Sequence, residues 1–224
     1  MTGGGVTIVT GPPGSGKTTL CREIAAAARR AGRDVAGVLS PAVFAGAVKT
    51  GIEAADLRTG EVRALARLRD LRGGAALERG RWAFDEAALA WGNARLARST
   101  PCDLLVVDEL GPLEFEQGRG WTAGLAAVDS AAYGAALVVV RPGLLERARA
   151  RWPGAAVADA TSPEARRLLA ERLAAAGAAG GRPAMIELEA LSVRYGPRPA
   201  LEEVSLRVAA GESVLVAGPS GCGK

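Results

Sequence analysis

Gly11, Gly16, Lys17 and Thr18 follow the order Gly-x-x-x-x-Gly-Lys-Thr within the run GPPGSGKTT, Gly11 to Thr19. That spacing is a phosphate-binding, or Walker A, loop. Gly11, Gly14 and Gly16 let the backbone turn tightly and bring its N–H groups against phosphate oxygens. Pro12, Pro13 and Ser15 complete the turn, and Thr19 opens the helix behind it. That helix, starting near Lys17, points the positive end of its dipole at the same anion. Lys17 supplies a compact charge for the β- and γ-phosphates of ATP, GTP or another nucleoside triphosphate, and the Thr18 hydroxyl is placed to ligate Mg²⁺. Only three of the 28 basic residues are lysines: Lys17, Lys49 and Lys224. In a chain that otherwise uses arginine, the phosphate loop keeps the small ammonium, since a planar guanidinium would not fit between phosphates.

The second chemical element is the acid pair Asp108-Glu109, which closes the apolar run Leu104 to Val107. Downstream of a Walker A loop, such a pair reads as a Walker B site. Asp108 holds Mg²⁺, and Glu109 orients and deprotonates a water for in-line attack on the γ-phosphate. The chain has no histidine, so carboxylates are the available bases. Arg141 ends the Val138–Val140 run on the edge where ligands of such sheets gather; it stabilises a transferring phosphoryl group or is simply a solvated strand end. Glu114 positions metal-bound water or faces solvent. Arg166 is a candidate for base or phosphate contact.

These residues need strands and helices to hold them. Val6, Ile8 and Val9 read as a buried strand before the loop, and Leu20 to Ala31 continues as an amphipathic helix ended by Gly32. Val35 to Leu39 is a second strand. Gly51 to Asp56 and Glu61 to Leu65 read as a hairpin around Arg58-Thr59-Gly60. Asp85 caps a helix to about Ala97, and four consecutive apolar residues, Leu104 to Val107, suit a central parallel strand buried on both faces. Trp121 to Ala132 and Gly143 to Ala150 read as helices, Ala136 to Val140 as a strand and Ala155 to Val157 as a weak one. Ser162 or Thr161 caps a helix over Pro163 to Ala176. The segment Arg67 to Gly80 takes no clear assignment. Alternation of strands and helices predicts a doubly wound, mainly parallel α/β sheet, the P-loop NTPase fold.

At 224 residues with 49% hydrophobic content the chain can bury a core, and its net charge of +4 is spread among acids rather than gathered in a basic stripe. We therefore expect no nucleic-acid footprint. Cys21, Cys102 and Cys222 are isolated and lack metal spacing, which fits a reducing, cytoplasmic setting. No apolar run reaches the length of a membrane span, so no direct membrane insertion is expected, and MTGGG is no signal peptide.

After residue 176 the pattern changes. Residues 177–184 have linker composition. Ile186, Leu188, Val193 and Tyr195, then Val204, Leu206 and Val208, recur at intervals that suit half-exposed antiparallel strands. Ser213 to Ala217 reads as a buried strand running into a second Walker A loop with Gly218, Ser220, Gly221, Gly223 and Lys224. Three domain ranges follow as expectations: a nucleotide-binding domain over 1–176, a linker over 177–184 and a partial antiparallel piece over 185–224.

Two resemblances are carried by these residues. GPPGSGKTTL, VAGVLSP, GIEAADLRTGE, RWAFDEAAL and VVDELGPLE, within residues 6 to about 176, resemble the THEP-type nucleoside-triphosphatases. That resemblance implies Mg²⁺-dependent hydrolysis of nucleoside triphosphates, with Lys17, Thr18, Asp108 and Glu109 taking the site roles. The chain has Leu113-Glu114 where the family commonly has Met-Glu, and TSPEARR near the last helix where Asn-Arg-Asp often stands, so base recognition is left open. MIELEALSVRYG, ALEEVSL and GESVLVAGPSGCGK resemble the start of an ABC-transporter ATPase subunit, the energy-coupling-factor kind among them. The likeness implies that Tyr195 stacks on adenine, that Met185 suits a natural start, and that transporter subunits at the inner membrane are partners. The glutamine loop, signature, Walker B and switch histidine of such a subunit are missing, so this piece is expected not to hydrolyse ATP, and the chain is read as a fragment of a longer fusion. Two other readings of the first domain stay open: a P-loop kinase of a nucleotide or small metabolite, which the lack of an arginine-rich lid disfavours, and a nucleotide-binding regulatory module of the transporter.

Overall fold

The computed structural model describes residues 4–68, 82–167, 169, 171, 184–195 and 198–209. The chain divides into two compact units, residues 1–179 and 180–224.

The first unit is built on one mixed sheet. Its parallel core comprises β1 (Gly5–Thr10), β2 (Val35–Leu39), β7 (Cys102–Leu110), β8 (Tyr133–Val140) and β9 (Ala156–Asp159). An antiparallel flank adds β3 (Ala42–Ala45), β4 (Val48–Asp56), β5 (Val62–Leu68) and β6 (Trp82–Phe84). The order is β6-β5-β4-β2-β7-β8-β1-β9, with β3 paired to β4. The β4–β5 hairpin matches the sequence expectation; β3 and β6, four and three residues long, have no sequence signal of their own. β6 lies in RWAFDEAAL, and residues 69–81, which include most of the unassigned segment, lie outside the described residues.

Helices cover both faces. On one face lies α1 (Lys17–Arg30), which buries Leu20, Cys21, Ile24, Ala25 and Ala28 against Val9, Val106, Leu137 and Val139. Burying a leucine or isoleucine of this kind contributes about 1.5–3 kcal/mol each. The helix ends in a Schellman motif: the Gly32 N–H donates to Arg29 O and the Arg33 N–H to Ala28 O. The other face carries α2 (Glu86–Leu96), α3 (Pro112–Gln117), α4 (Thr122–Asp129) and α5 (Leu145–Arg151), α5 following a 3-10 turn at Pro142–Leu144. Trp91, Leu96, Trp121, Leu125 and Trp152 pack there against Ile8, Leu105, Val107 and Val138. The Asp85 side chain accepts from the Ala88 N–H, capping α2 as expected. Ser162 Oγ accepts from the Ala165 N–H at the start of the helical stretch at 163–167, which continues at 169 and 171. The short α3 was not anticipated, and α4 starts after Trp121 and stops at Asp129.

Leu104 to Val107 are at most 1% exposed, as a strand with helices on both sides requires. β2 fits beside β7 only because residue 37 is glycine. Its φ is +117°, and a Cβ there would lie 1.9 Å from Val106 O.

At the amino edge of the sheet one side chain gathers several loops. Arg58, from the turn after β4, donates to Asp34 through Nε and Nη2, and to the carbonyls of Arg98, Ser99 and Pro101.

The second unit shows a two-stranded antiparallel sheet of β10 (Ala184–Tyr195) and β11 (Arg198–Ala209). Its register slips near Leu191 and Val193. There the Ser205 hydroxyl accepts from Ala190 N–H and the Ser192 hydroxyl from Glu203 N–H, supplying partners the irregular ladder lacks. The expected strand 213–217 and second Walker A loop lie outside the described residues. Among the described residues no helix is long and apolar enough to cross a membrane. Cys21 and Cys102 are buried and not joined in a disulfide.

Candidate functional site

The carboxyl ends of the parallel strands bring the sequence candidates to one edge. β1 delivers the loop Gly11–Gly16, β7 carries Asp108 and Glu109 just before its end at Leu110, β2 is followed by Ser40 and β8 by Arg141. This is the edge at which open α/β sheets bind ligands.

The loop enters α1 through Gly16, whose φ of +86° places it in the left-handed region, with no side-chain cap and no acid in the first turn of the helix. The helix N-terminus therefore keeps its N–H groups and positive dipole end for an anion. Lys17 is 8% exposed. Its ammonium donates to Gly11 O at 2.8 Å and Pro12 O at 2.9 Å, so the loop is folded around its own lysine. Ser15 Oγ and Thr10 Oγ1 are buried beside it without a hydrogen-bond partner among the described residues.

Asp108 is 1% exposed. Burial pushes its carboxyl up to about 6, against hydrogen bonds from the Ser40 N–H and the Thr18 hydroxyl and the attraction of Lys17. Ser40 N donates to Asp108 Oδ2 at 3.1 Å, and the Ser40 hydroxyl donates to the Asp108 carbonyl. Thr18 and Lys17 of the phosphate loop thus act on the Asp108 carboxyl, although β8 separates β1 from β7 in the sheet. The Thr18 hydroxyl and the Asp108 carboxylate are a pair of hard oxygen donors. Mg²⁺ takes such a pair together with substrate phosphates and water rather than a dedicated protein cage. No group of three or more His, Cys, Asp or Glu side chains is clustered to hold an ion among the described residues.

Glu109 is half-buried and ion-paired through Oε1 with Nε of Arg141, which is more exposed. Arg141, for which the sequence left two roles open, is thus the partner of Glu109. Glu114 does not face solvent. It is 7% exposed, and its carboxylate accepts from Gly111 N–H at 2.6 Å and Trp121 N–H at 2.8 Å. It ties the turn after β7 to the start of α4, and burial pushes its carboxyl up. Arg166 lies against the loop, its Nη1 3.5 Å from where a Cβ on Gly16 would stand, with Glu23 3.9 Å from its Nη2. The run Arg147, Arg149, Arg151 is paired with Glu116, Glu146 and Asp129 on the surface, as a solvated helix face would be. Tyr195 lies in β10, and Gly218, Ser220, Gly221, Gly223 and Lys224 lie outside the described residues.

Two residues were missed. Ser40 gave no signal beyond its place one residue after a buried strand. Lys49, at the start of β4, did carry one, its type in a lysine-poor chain. Its ammonium lies 5.1 Å from the centre of the Trp82 ring. Desolvation draws it below the ordinary lysine value, opposed by Glu109 and Asp108 and assisted by Arg141 and Lys17.

The sequence profile of the family described as NTPase matches residues 6–130, more than half of the chain. The chain belongs to the NTPase family. The match spans the phosphate loop, the β4–β5 hairpin and the acid pair of this NTPase-family chain. Among curated relatives, the nucleoside-triphosphatase THEP1 of Ignicoccus hospitalis is 34% identical over 108 residues, 48% of this chain and 60% of that protein. The NTPase-family chain thus aligns with about three-fifths of that relative's length. The taurine import ATP-binding protein TauB of Yersinia pestis is 50% identical over 40 residues, 18% of this chain and 16% of that protein. The solution structure of a human cancer-related nucleoside triphosphatase superposes with a TM-score of 0.57 at 22% identity, covering 79% of this chain and all of that one. That likeness shows the fold, an α/β P-loop NTPase sheet.

Proposed function

We propose that the first unit hydrolyses nucleoside triphosphates to diphosphates and inorganic phosphate. The observation that carries this reading is that a phosphate loop folded around Lys17 and the buried Asp108 carboxylate held by Ser40 converge at one sheet edge.

The loop Gly11–Thr19 wraps the phosphates, with the α1 N-terminus directed at them. Lys17 leaves Gly11 O and Pro12 O for the β- and γ-phosphate oxygens. Thr18 and Asp108 would hold Mg²⁺, whose chemistry when bound is to neutralise phosphate charge. Glu109, held by Arg141 at Oε1, takes a proton from water on Oε2. The water oxygen bonds to the γ-phosphorus as the bond to the β,γ-bridging oxygen breaks, and the diphosphate leaves with the electron pair. Ser40 keeps Asp108 oriented, and Arg166 lies near enough to the loop to meet the nucleotide.

The test is phosphate release from ATP, GTP, CTP and UTP, with Mg²⁺ and with a chelator. Release in Mg²⁺ without an added acceptor is expected, and it separates hydrolysis from kinase chemistry. Lys17→Ala is expected to abolish nucleotide binding. Glu109→Gln is expected to keep binding and lose at least about a hundredfold in turnover; unchanged turnover would remove Glu109 from the reaction.

A second reading is supported by the 40-residue likeness to TauB. Residues 185–224, with Tyr195 and the loop at Gly218–Lys224, are the start of an ABC ATPase, joined by a linker at 177–184 to the NTPase domain of residues 1–176. The first unit then reports nucleotide state to transporter subunits from the cytoplasmic side. Tight binding with very slow turnover, together with transport changed by deleting residues 1–180, favours this reading. Transport unaffected by that deletion counts against it.

A further inference from the structure

The sheet order gives the phosphate loop two unlike sides. Across the carboxyl edge the strands run β7-β8-β1-β9. Asp108 and Glu109 stand on β7, two strands from β1, which is about 10 Å at the usual strand spacing. β9 is the neighbour of β1 on the other side. A triphosphate lying on the loop with its terminal phosphate toward Glu109 therefore has its nucleoside end toward β9.

The chain that follows β9 is built against the loop. The Ala160 N–H donates to Thr10 O at 2.8 Å, which fastens the turn after β9 to the end of β1. Asp159 Oδ1 lies 3.6 Å from where a Cβ on Gly11 would stand. Arg166 Nη1 and Nη2 lie 3.5 Å and 3.8 Å from where a Cβ on Gly16 would stand. One segment thus faces both of the glycines that bound the motif.

The Arg166 guanidinium is unspent. Its side chain is 35% exposed, yet no side-chain hydrogen bond engages it among the described residues. Its ion pair with Glu23 is long, at 3.9 Å, and Glu23 is well exposed; such a pair is worth little in water. Local structure does not account for the residue either. Arg166 is fourth in the helical stretch that begins at 163, where a cation opposes the helix dipole. A planar set of N–H donors, largely shielded from water, is therefore held beside a loop that already carries the Lys17 ammonium and the positive end of α1. An anion on the loop cancels that repulsion and takes up the free donors, as arginine forks do with phosphate.

We infer that Arg166 is a phosphate-binding residue of the nucleotide site, standing on the nucleoside side of the loop and gripping the phosphates that the triphosphate shares with its diphosphate product. The inference rests on the nucleotide-binding reading above and adds a contact from outside both Walker motifs. Arg166 then sets nucleotide affinity whatever the base, and holds product as firmly as substrate.

The experiment is calorimetric titration of the full chain with Mg·ATP, Mg·ADP and Mg·GTP, for the wild type, Arg166→Ala, Arg166→Lys, Glu23→Gln and Lys17→Ala. Thermal melts check that each variant folds. For Arg166→Ala the expected result is a loss of about tenfold or more in affinity, equal within about twofold for the three nucleotides, with partial recovery in Arg166→Lys. Glu23→Gln is expected to bind at least as tightly as the wild type, because it frees the guanidinium. A loss confined to ATP would move Arg166 to the terminal phosphate, and a loss that differs between ATP and GTP would make it a base contact. A loss in Glu23→Gln equal to that in Arg166→Ala would make the ion pair a structural strut. Each of these, like no loss at all, overturns the inference and leaves the site reading intact. A wild type that binds none of the nucleotides, or a Lys17→Ala variant that binds like wild type, overturns the site reading itself and this inference with it.

Discussion

Asp108→Asn provides a quantitative check on the geometry. Burial raises the Asp108 carboxyl from 3.8 to about 6 in the folded chain. Between those values the folded protein holds a proton that the unfolded chain has released, so stability falls as pH rises. The full shift of about two units corresponds to about 3 kcal/mol, present below pH 3.8 and lost above pH 6. Over the accessible range from pH 5 to pH 8 the folded-state proton contributes about 1.4 kcal/mol, and the unfolded chain almost nothing. Asparagine has no carboxyl to titrate. In denaturant titrations without metal or nucleotide, the wild type is expected to lose about 1.4 kcal/mol relative to Asp108→Asn between pH 5 and pH 8. Parallel stability curves would refute the claim that this carboxyl is ionised with difficulty in its buried place. The offset between the curves is uninformative, since asparagine accepts fewer hydrogen bonds than the carboxylate that Ser40 and Thr18 contact; only the change with pH tests the argument.

Glu114→Gln leaves one of the Gly111 and Trp121 N–H groups without its carboxylate oxygen, and a loss of about 1–3 kcal/mol is expected in urea unfolding. Arg141→Gln removes an exposed ion pair, so stability should change by less than about 1 kcal/mol while turnover falls through a misplaced Glu109; unchanged kcat would sever that link. Gly37→Ala puts a Cβ against Val106 O at a φ of +117°, and a loss of about 3 kcal/mol or more, or failure to fold, is expected in expression and melting tests.

How much was legible depended on whether a feature was local. The phosphate loop, the Asp85 cap and the Leu104–Val107 strand announce themselves because spacing, cap chemistry and a double-sided apolar run are properties of neighbouring residues. β3 did not, because a strand of four exposed residues has no hydrophobic period and forms only by pairing. Glu114 was misjudged for a related reason. A carboxylate that serves two backbone N–H groups, one of them seven positions away, looks in sequence like any surface acid. Arg141 and Glu109 sit 32 positions apart, and nothing along the chain announces that the ends of β7 and β8 bring them together.

The Arg58 guanidinium draws the loop before β2, the turn after β4 and the segment before β7 into one knot. That latch ties the amino edge of the first unit's sheet together. Amide exchange should accordingly be slow at the buried Val35 and Leu104 beside it and fast at the exposed Phe44 and Val48 of β3 and β4.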